Sequence, residues 1–355
     1  MRPLLLLLLG ALIVTEIVAL SPSSLEETRL SNTALEPSAL VLDNEPTLVP
    51  GVPKGRIAEY SIEKFNYVSV QAGAKQWKIE AEKAFLYNPE KLSHSRKVKA
   101  FLYDPEGAVT LVTGDEARYF LNQRDLEIYG NVKTLFPDGF QLESEYLRYR
   151  PIDQHIQIPS KYLAHGSGKQ GDDQDFHFIS HGLDYFMKKS EINLLEKVRV
   201  TLEKHPPATL TSPATREKTD IDSDHCLINR LTQTAYFTMI PTRPLKSRFV
   251  HITQPTLFVR SRRADLHYGS DYSQVLNYLT AYEDVLIKET GNKKELRYAT
   301  GGRADFDTKR DVIILKEFPQ VYQNGDTVTG DIVIMHRDTD VIEIEHSNAF
   351  SSGTE

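Results

Sequence analysis

Polar and apolar residues alternate over several short stretches of this chain. In 125–132 the even positions Leu126, Ile128, Gly130 and Val132 are apolar or glycine, and the odd ones are mainly polar. In 340–346, Ile342 and Ile344 share one parity and Glu343 and Glu345 the other. A period of two sends successive side chains to opposite faces of a strand, so each stretch predicts a sheet with one dry face and one wet face. From Tyr60 onward such runs, rich in Val, Ile, Tyr, Phe and Thr, are separated by Asp104-Pro105-Glu106-Gly107, Pro137-Asp138-Gly139 and Asn324-Gly325-Asp326. These are turn sequences of the kind that close hairpins. Periodicity alone leaves two arrangements open: a closed sandwich whose dry faces consume each other, or a folded-over sheet left partly open around an apolar groove.

The runs also repeat. Residues 112–119, 299–306 and 328–334 each carry Thr-Gly at the second and third positions. Each is followed about ten residues later by a further strand pattern, at 125–129, 311–315 and 340–344, and weaker echoes begin at 143 and 179. One repeat is thus a hairpin-like pair of strands, and stacking such units predicts an elongated β structure of the roll or solenoid kind.

The chain begins differently. Arg2 precedes Leu4 to Leu9 and Ala11 to Leu20, an apolar run of about 17 residues, the short limit for a bilayer-spanning helix. A cleaved secretory signal is the competing reading, but the run is long for its apolar region and Ala19-Leu20-Ser21 is a mediocre cleavage box. The expectation is an uncleaved anchor, with Glu16 near its outer interface. Arg2 before the run, with no basic cluster after it, leaves the amino end in the cytoplasm and exports the body. Pro22, Pro37, Pro46, Pro50 and Pro53 mark the following stretch as a tether, and the segment from Pro206-Pro207 through Pro213 into polar residues reads as a linker. The expected organisation is a transmembrane anchor over 1–22, a Pro-rich tether over 23–59, a β domain over 60–205, a linker over 206–224 and a second β domain over 225–355.

Composition narrows the function classes. With 42 Lys+Arg against 49 Asp+Glu the formal net charge is −7, and no basic stripe runs along the chain, so nucleic acid is not an expected partner. A single cysteine, Cys226, excludes an intramolecular disulfide framework, a CxxC redox motif and every multi-cysteine metal centre. It also excludes a lipoprotein anchor near the amino terminus.

The anchor, the tether, Trp77-Lys78-Ile79-Glu80-Ala81, Thr113-Gly114-Asp115-Glu116-Ala117, and the stretch from Leu126 through Gly130-Asn131-Val132 to 140–147 resemble the LptC family of lipopolysaccharide-export proteins. The stretch from Thr300 to His346, with Gly325-Asp326-Thr327-Val328-Thr329-Gly330-Asp331 inside it, looks like the related LptA/OstA-type module. The resemblance implies an all-β fold, tandem open β-jellyroll (OstA-like) domains after an N-terminal transmembrane helix. It further implies a periplasmic carrier, anchored in the inner membrane by a single pass, that shields lipopolysaccharide acyl chains and passes them from the membrane subunits of an Lpt ABC transporter toward an LptA-type bridge protein. Each methylene exposed to water on such a journey would cost about 0.8 kcal/mol, so a continuous apolar groove is required. By strand alternation the expected lipid-facing residues are Ile79, Leu126, Ile128, Val132, Leu142, Ile332, Ile334, Ile342 and Ile344, and Trp77 matches the family's tryptophan position. The second β domain departs from a short family member, leaving open whether it extends the bridge or replaces a bridging subunit.

Catalytic and metal chemistry is mostly missing. Asp220-Ile221-Asp222-Ser223-Asp224-His225 starts like a calcium loop, but His225 stands where glycine must turn and Leu231 where a glutamate must close the shell, so it reads as solvated linker. Asp172-Asp173-Gln174-Asp175-Phe176-His177 with His181 lacks a recognised ligand spacing. His225 and Cys226 are strand neighbours on opposite faces, which disfavours a nucleophile–base pair. No cofactor is expected, and the chain reads as a non-enzyme. The alternatives are a sealed-core periplasmic structural or adhesion protein and a hydrolase using paired carboxylates.

Overall fold

The computed structural model describes residues 46–350 apart from 53–57, 72, 105, 121–123, 171–173, 205–216, 269–275, 291–295, 308–309, 324, 340 and 347. The expected anchor and most of the expected tether lie outside the described residues. No helix among the described residues is long and apolar enough to cross a membrane.

The alternating runs fold as strands. Nine long ones come first: β1 (Tyr60–Gln71), β2 (Ala74–Tyr87), β3 (Leu92–Tyr103), β4 (Val109–Phe120), β5 (Leu126–Leu135), β6 (Gln141–Arg150), β7 (His155–Gln170), β8 (Gln174–Phe186) and β9 (Glu191–Lys204). Each pairs antiparallel with the next, and each pairing skips or shifts near its middle. Lys64, Lys97, Asn131 and Lys197 sit at these interruptions with φ of 53°, 51°, 45° and 49°. An inserted residue bends a strand and can reverse the parity that faces inward. In β2 the positions buried in the main core are Trp77, Ile79 and Ala81 before the corner and Ala84 after it, while Phe85 and Tyr87 are buried in a separate cluster with Leu92.

Past β9, most rungs are built from two short strands flanking the same corner. These are β10 (Glu217–Ser223) with β11 (His225–Asn229), β12 (Thr234–Thr238) with β13 (Val250–Thr253), and β14 (Leu257–Ser261) with β15 (Arg263–Tyr268). The next two, β16 (Leu276–Thr290) and β17 (Leu296–Asp307), are long again. They are followed by β18 (Val312–Lys316), β19 (Gln320–Gln323), β20 (Asp326–Thr329), β21 (Ile332–His336), β22 (Ile342–Glu345) and β23 (Asn348–Phe350).

Among the described residues all of these form one 23-stranded sheet. The aligned corners fold it along a line into two arms. Arm A holds the Trp77 half of β2, with β10, β13, β14, β19, β20 and β23; arm B holds the Ala84 half, with β11, β12, β15, β18, β21 and β22; the long strands run through both. Their apolar sides meet. Trp77 of arm A stands edge-on to Tyr119 of arm B with ring centroids 4.8 Å apart, Phe136 meets Tyr185 at 5.4 Å, and one cluster of buried side chains runs from Phe65 to Met335.

Two expectations are corrected here. Residues 217–223 fall inside the expected linker yet form β10, paired with β9 from Glu217↔Lys204 to Ser223↔Val198. The cause is an alternation hidden by the aspartates: Thr219, Ile221 and Ser223 are buried, while Asp220 accepts from Thr201 and Asp222 from Arg199 on the wet face. Because β9 pairs with β11 as well, the sheet passes the expected domain boundary without a break. The second correction concerns the end of the expected tether, where residues 47–52 are docked on the outer face of arm B instead of standing free.

Candidate functional site

Six of the residues expected to face lipid lie between the arms: Trp77, Ile79, Val132 and Leu142 on arm A, Leu126 and Ile128 on arm B. None is more than 3% exposed, and all belong to the packed cluster that fills the interior. The other four divide. Val333 and Met335 are fully buried, so Ile332 and Ile334, of opposite parity, lie on the outer face, across from Lys316 and Glu345 and from Ile314 and Glu343. Ile344 and Ile342 pair with Val333 and Met335 and pack against the core. The placement of Ile332 and Ile334 on the shared dry face is therefore corrected. Residues 332–335 are apolar at every position and carry no parity of their own; pairing with Ile313 and Leu315 selects the inward pair.

Beside the junction of β9 with β10 and β11 an apolar cavity of about 170 Å³ opens between the arms. Phe140, Phe176 and Leu202 line it from arm A, and Ile228, Phe237 and Leu266 from arm B. None of the ten expected residues is among its walls. The space arises at Gly166 and Gly168, which remove two inward side chains from β7. A Cβ on Gly166 would overlap the Phe178 ring, which fills the first gap, while Gly168 forms part of the cavity wall. Glycines on the dry parity of a strand were the signal in the sequence that could have located this space.

The rim is polar, formed by Asp138, Lys169, Arg230 and Tyr268. Local turn chemistry fixes two of them. Asp138 accepts from the Phe140 N–H in a turn where Gly139 takes φ 83°, a backbone shape that suits glycine, and Asn229 accepts from the N–H groups of Leu231 and Thr232 to fold the turn that carries Arg230. The Arg230 guanidinium then reaches from arm B to the Asp138 carboxylate of arm A and donates to the Tyr185 hydroxyl at 3.2 Å. Burial alone would lower the Arg230 pKa, but the Tyr185 oxygen and Asp138 hold it above its ordinary value, so it stays charged. Burial pushes the Tyr268 phenol up to about 12.

A second bridge joins the arms near the carboxy-terminal end. Glu289 accepts from Arg297 at 2.7 Å and from Arg337 Nε at 2.7 Å, and Arg337 also reaches Asp311 at 3.2 Å. The two bridges differ in burial. Arg230 and Asp138 keep side-chain exposures of 32% and 43%, whereas Arg337 and Glu289, which cross the arms at the second bridge, keep 22% and 3%; Arg297, 1% exposed, is the cross-strand neighbour of Glu289 within arm A. An exposed pair contributes about 0–1 kcal/mol, while breaking a buried one costs about 3–5 kcal/mol. The arms are thus held more firmly at the second bridge, where Glu289 is buried, than at the first.

The outer face of arm B carries a separate polar and aromatic cluster. Glu116 accepts from the Thr47 hydroxyl, from the Leu48 N–H at 3.2 Å and pairs with His94 Nε2 at 2.8 Å; Arg118 donates to the Pro50 carbonyl and to Glu127. Val49 fills a recess against Tyr129 and Tyr146. Burial would raise the Glu116 carboxyl, but the hydrogen bonds from Thr47, His94 and Leu48 outweigh it and hold the pKa below the ordinary value. Glu127, outward in parity, is buried by this cluster. Cys226 is fully buried on the inward row, and burial raises its thiol well above the usual range, so it is a small core side chain.

Residues 43–203 match the family described as lipopolysaccharide-assembly, LptC-related. Residues 248–341 match the family described as LptA/(LptD N-terminal domain) LPS transport protein. No curated protein sequence matches the chain. Among solved structures the chain is similar to LptH, the LptA-homologous periplasmic component of the conserved lipopolysaccharide transport device from Pseudomonas aeruginosa, at 11% identity and a TM-score of 0.31, over 39% of this chain and 89% of that one.

Proposed function

We propose that this chain, matched over residues 43–203 by the LptC-related family and over 248–341 by the LptA/LptD N-terminal family, is a non-enzymatic lipopolysaccharide carrier that is both the receiving and the bridging module of such a route in one polypeptide. On this reading the apolar amino-terminal run anchors it in the inner membrane, the body lies in the periplasm, the first module takes lipopolysaccharide from the membrane subunits of an Lpt ABC transporter, and the second passes it toward an LptA-type protein. The observation that carries the proposal is the double pairing of β9 with β10 and β11, which joins the interiors of the two matched regions and sets an apolar cavity at the joint. The small volume of that cavity and the packing elsewhere mean that acyl chains enter by parting the arms. Each methylene moved from water into such an interior gains about 0.8 kcal/mol, enough over a few carbons to offset local rearrangement of side chains.

The test is site-specific photocrosslinking in cells that make lipopolysaccharide. Crosslinkers at the inward positions Phe237 and Leu266 are expected to capture it, and those at the outward neighbours Tyr236 and Asp265 are not. Equal capture at both sets, or none at either, would overturn the carrier reading and favour a structural β protein.

A further inference from the structure

We infer that Arg230 is an exchangeable clasp, bonded to Asp138 when the cavity is empty and transferred to the anionic headgroup of an amphiphile whose chains occupy the cavity. The inference rests on the carrier reading above and names what that reading leaves open, the group that selects and admits the cargo at this point. An apolar cavity of about 150 Å³ holds a benzene-sized guest. The 170 Å³ between Phe140, Phe176 and Leu266 therefore takes a chain segment of roughly six carbons, too little for any multi-chain lipid unless the mouth widens. What spans the mouth there is the Arg230–Asp138 pair, with Lys169 also on the rim.

That pair is suited to exchange. Its two side chains are 32% and 43% exposed, and a pair of this kind shifts an equilibrium by no more than about fivefold. The Arg230 backbone is held independently, its N–H bonded to the Ser190 carbonyl at 2.9 Å, so the guanidinium can change partner without moving the strand. An incoming phosphate or phosphate ester offers a planar guanidinium the same paired oxygens as a carboxylate. The second bridge, whose Glu289 is 3% exposed and shared between Arg337 and the buried Arg297, has no such freedom.

The experiment titrates the full chain with decyl phosphate, decyl maltoside and inorganic phosphate, each below its micelle-forming concentration where it has one, and reads the ratio of decyl phosphate to decyl maltoside affinity. Asp138→Asn and Arg230→Gln both release the clasp, so any general widening of the mouth affects them alike. The headgroup effect has opposite signs. Asp138→Asn is expected to raise the ratio about fivefold, Arg230→Gln to lower it about tenfold, and Arg230→Lys to keep it within about threefold of wild type. Inorganic phosphate is expected not to displace decyl phosphate at millimolar concentration. If both amphiphiles bind and Arg230→Gln leaves their ratio unchanged, the clasp inference fails and the carrier reading stands; if inorganic phosphate binds as well as decyl phosphate, the site is a plain phosphate site and the inference also fails. If neither amphiphile binds wild type, the carrier reading fails and the inference with it.

Discussion

The contrast between the two inter-arm bridges gives the sharpest stability prediction. Glu289→Ala takes the carboxylate from Arg297, which is 1% exposed, and from Arg337, which is 22% exposed. Arg337 keeps Asp311 at 3.2 Å and enough water to limit its loss. The cost is set by Arg297, 1% exposed and directly across the strand pair from Glu289, and breaking one side of such a buried pair costs about 3–5 kcal/mol. Asp138→Ala, at the exposed bridge, is expected to cost about 0–1 kcal/mol. Replacing both buried partners, Glu289→Met with Arg297→Met, removes the two buried charges together and is expected to recover most of the loss. Denaturant unfolding followed by circular dichroism measures all three variants. Fluorescence of the single tryptophan, Trp77 in β2, reports on the opposite end of the sheet and tests whether the shift is transmitted through it. Equal, small losses for Glu289→Ala and Asp138→Ala would refute the claim that the second bridge is held more firmly than the first.

Docking of residues 47–52 depends on ionised Glu116, whose pKa is lowered in the folded chain, so the stabilisation is full above the ordinary carboxylate pKa and is lost as pH falls through the lowered value; the hydrogen-exchange protection factors of Leu48 and Val49, taken against the intrinsic rate at each pH, should fall on acidification in wild type and stay level in Glu116→Gln. Gly114→Ala puts a Cβ onto Cγ2 of the fully buried Ile128 and is expected to cost about 1–3 kcal/mol, partly relieved by Ile128→Val, as thermal unfolding of the single and double variants would record. Cys226 should resist alkylation at neutral pH until the sheet is unfolded by denaturant, because its thiol is enclosed and its pKa raised; rapid labelling of native protein would contradict its inward placement.

Much of the fold was legible because strand parity is a local property. Leu126, Ile128 and Val132 face inward as their alternation predicts, and the Pro137-Asp138-Gly139 turn stands where its chemistry requires. The corners were less legible. At Lys97 and at 114–115 a residue drops out of the strand pairing and the buried parity switches, and a lysine with φ of 51° is not a signal that propensity provides. Ile332 and Ile334 were misplaced for a related reason, since an unbroken apolar run has no parity and the neighbouring strand chooses it. In β10 the reverse occurred: Asp220 and Asp222 looked like linker charge because their partners Thr201 and Arg199 are about twenty residues away in sequence and adjacent only after pairing. The cavity escaped for a third reason. It is made by residues that are missing, Gly166 and Gly168, and by the meeting of two regions whose contact no local pattern encodes.

The pairing of β9 with β10 and β11 has a consequence for how a lipid route is assembled. Where two proteins abut edge to edge, the contact has a dissociation constant, and the number and order of the pieces follow from their abundance. Here the corresponding contact lies within one polypeptide, so dilution does not separate it and its stoichiometry is fixed at synthesis. On the proposed reading, the order of the two modules along the route is the order of the chain.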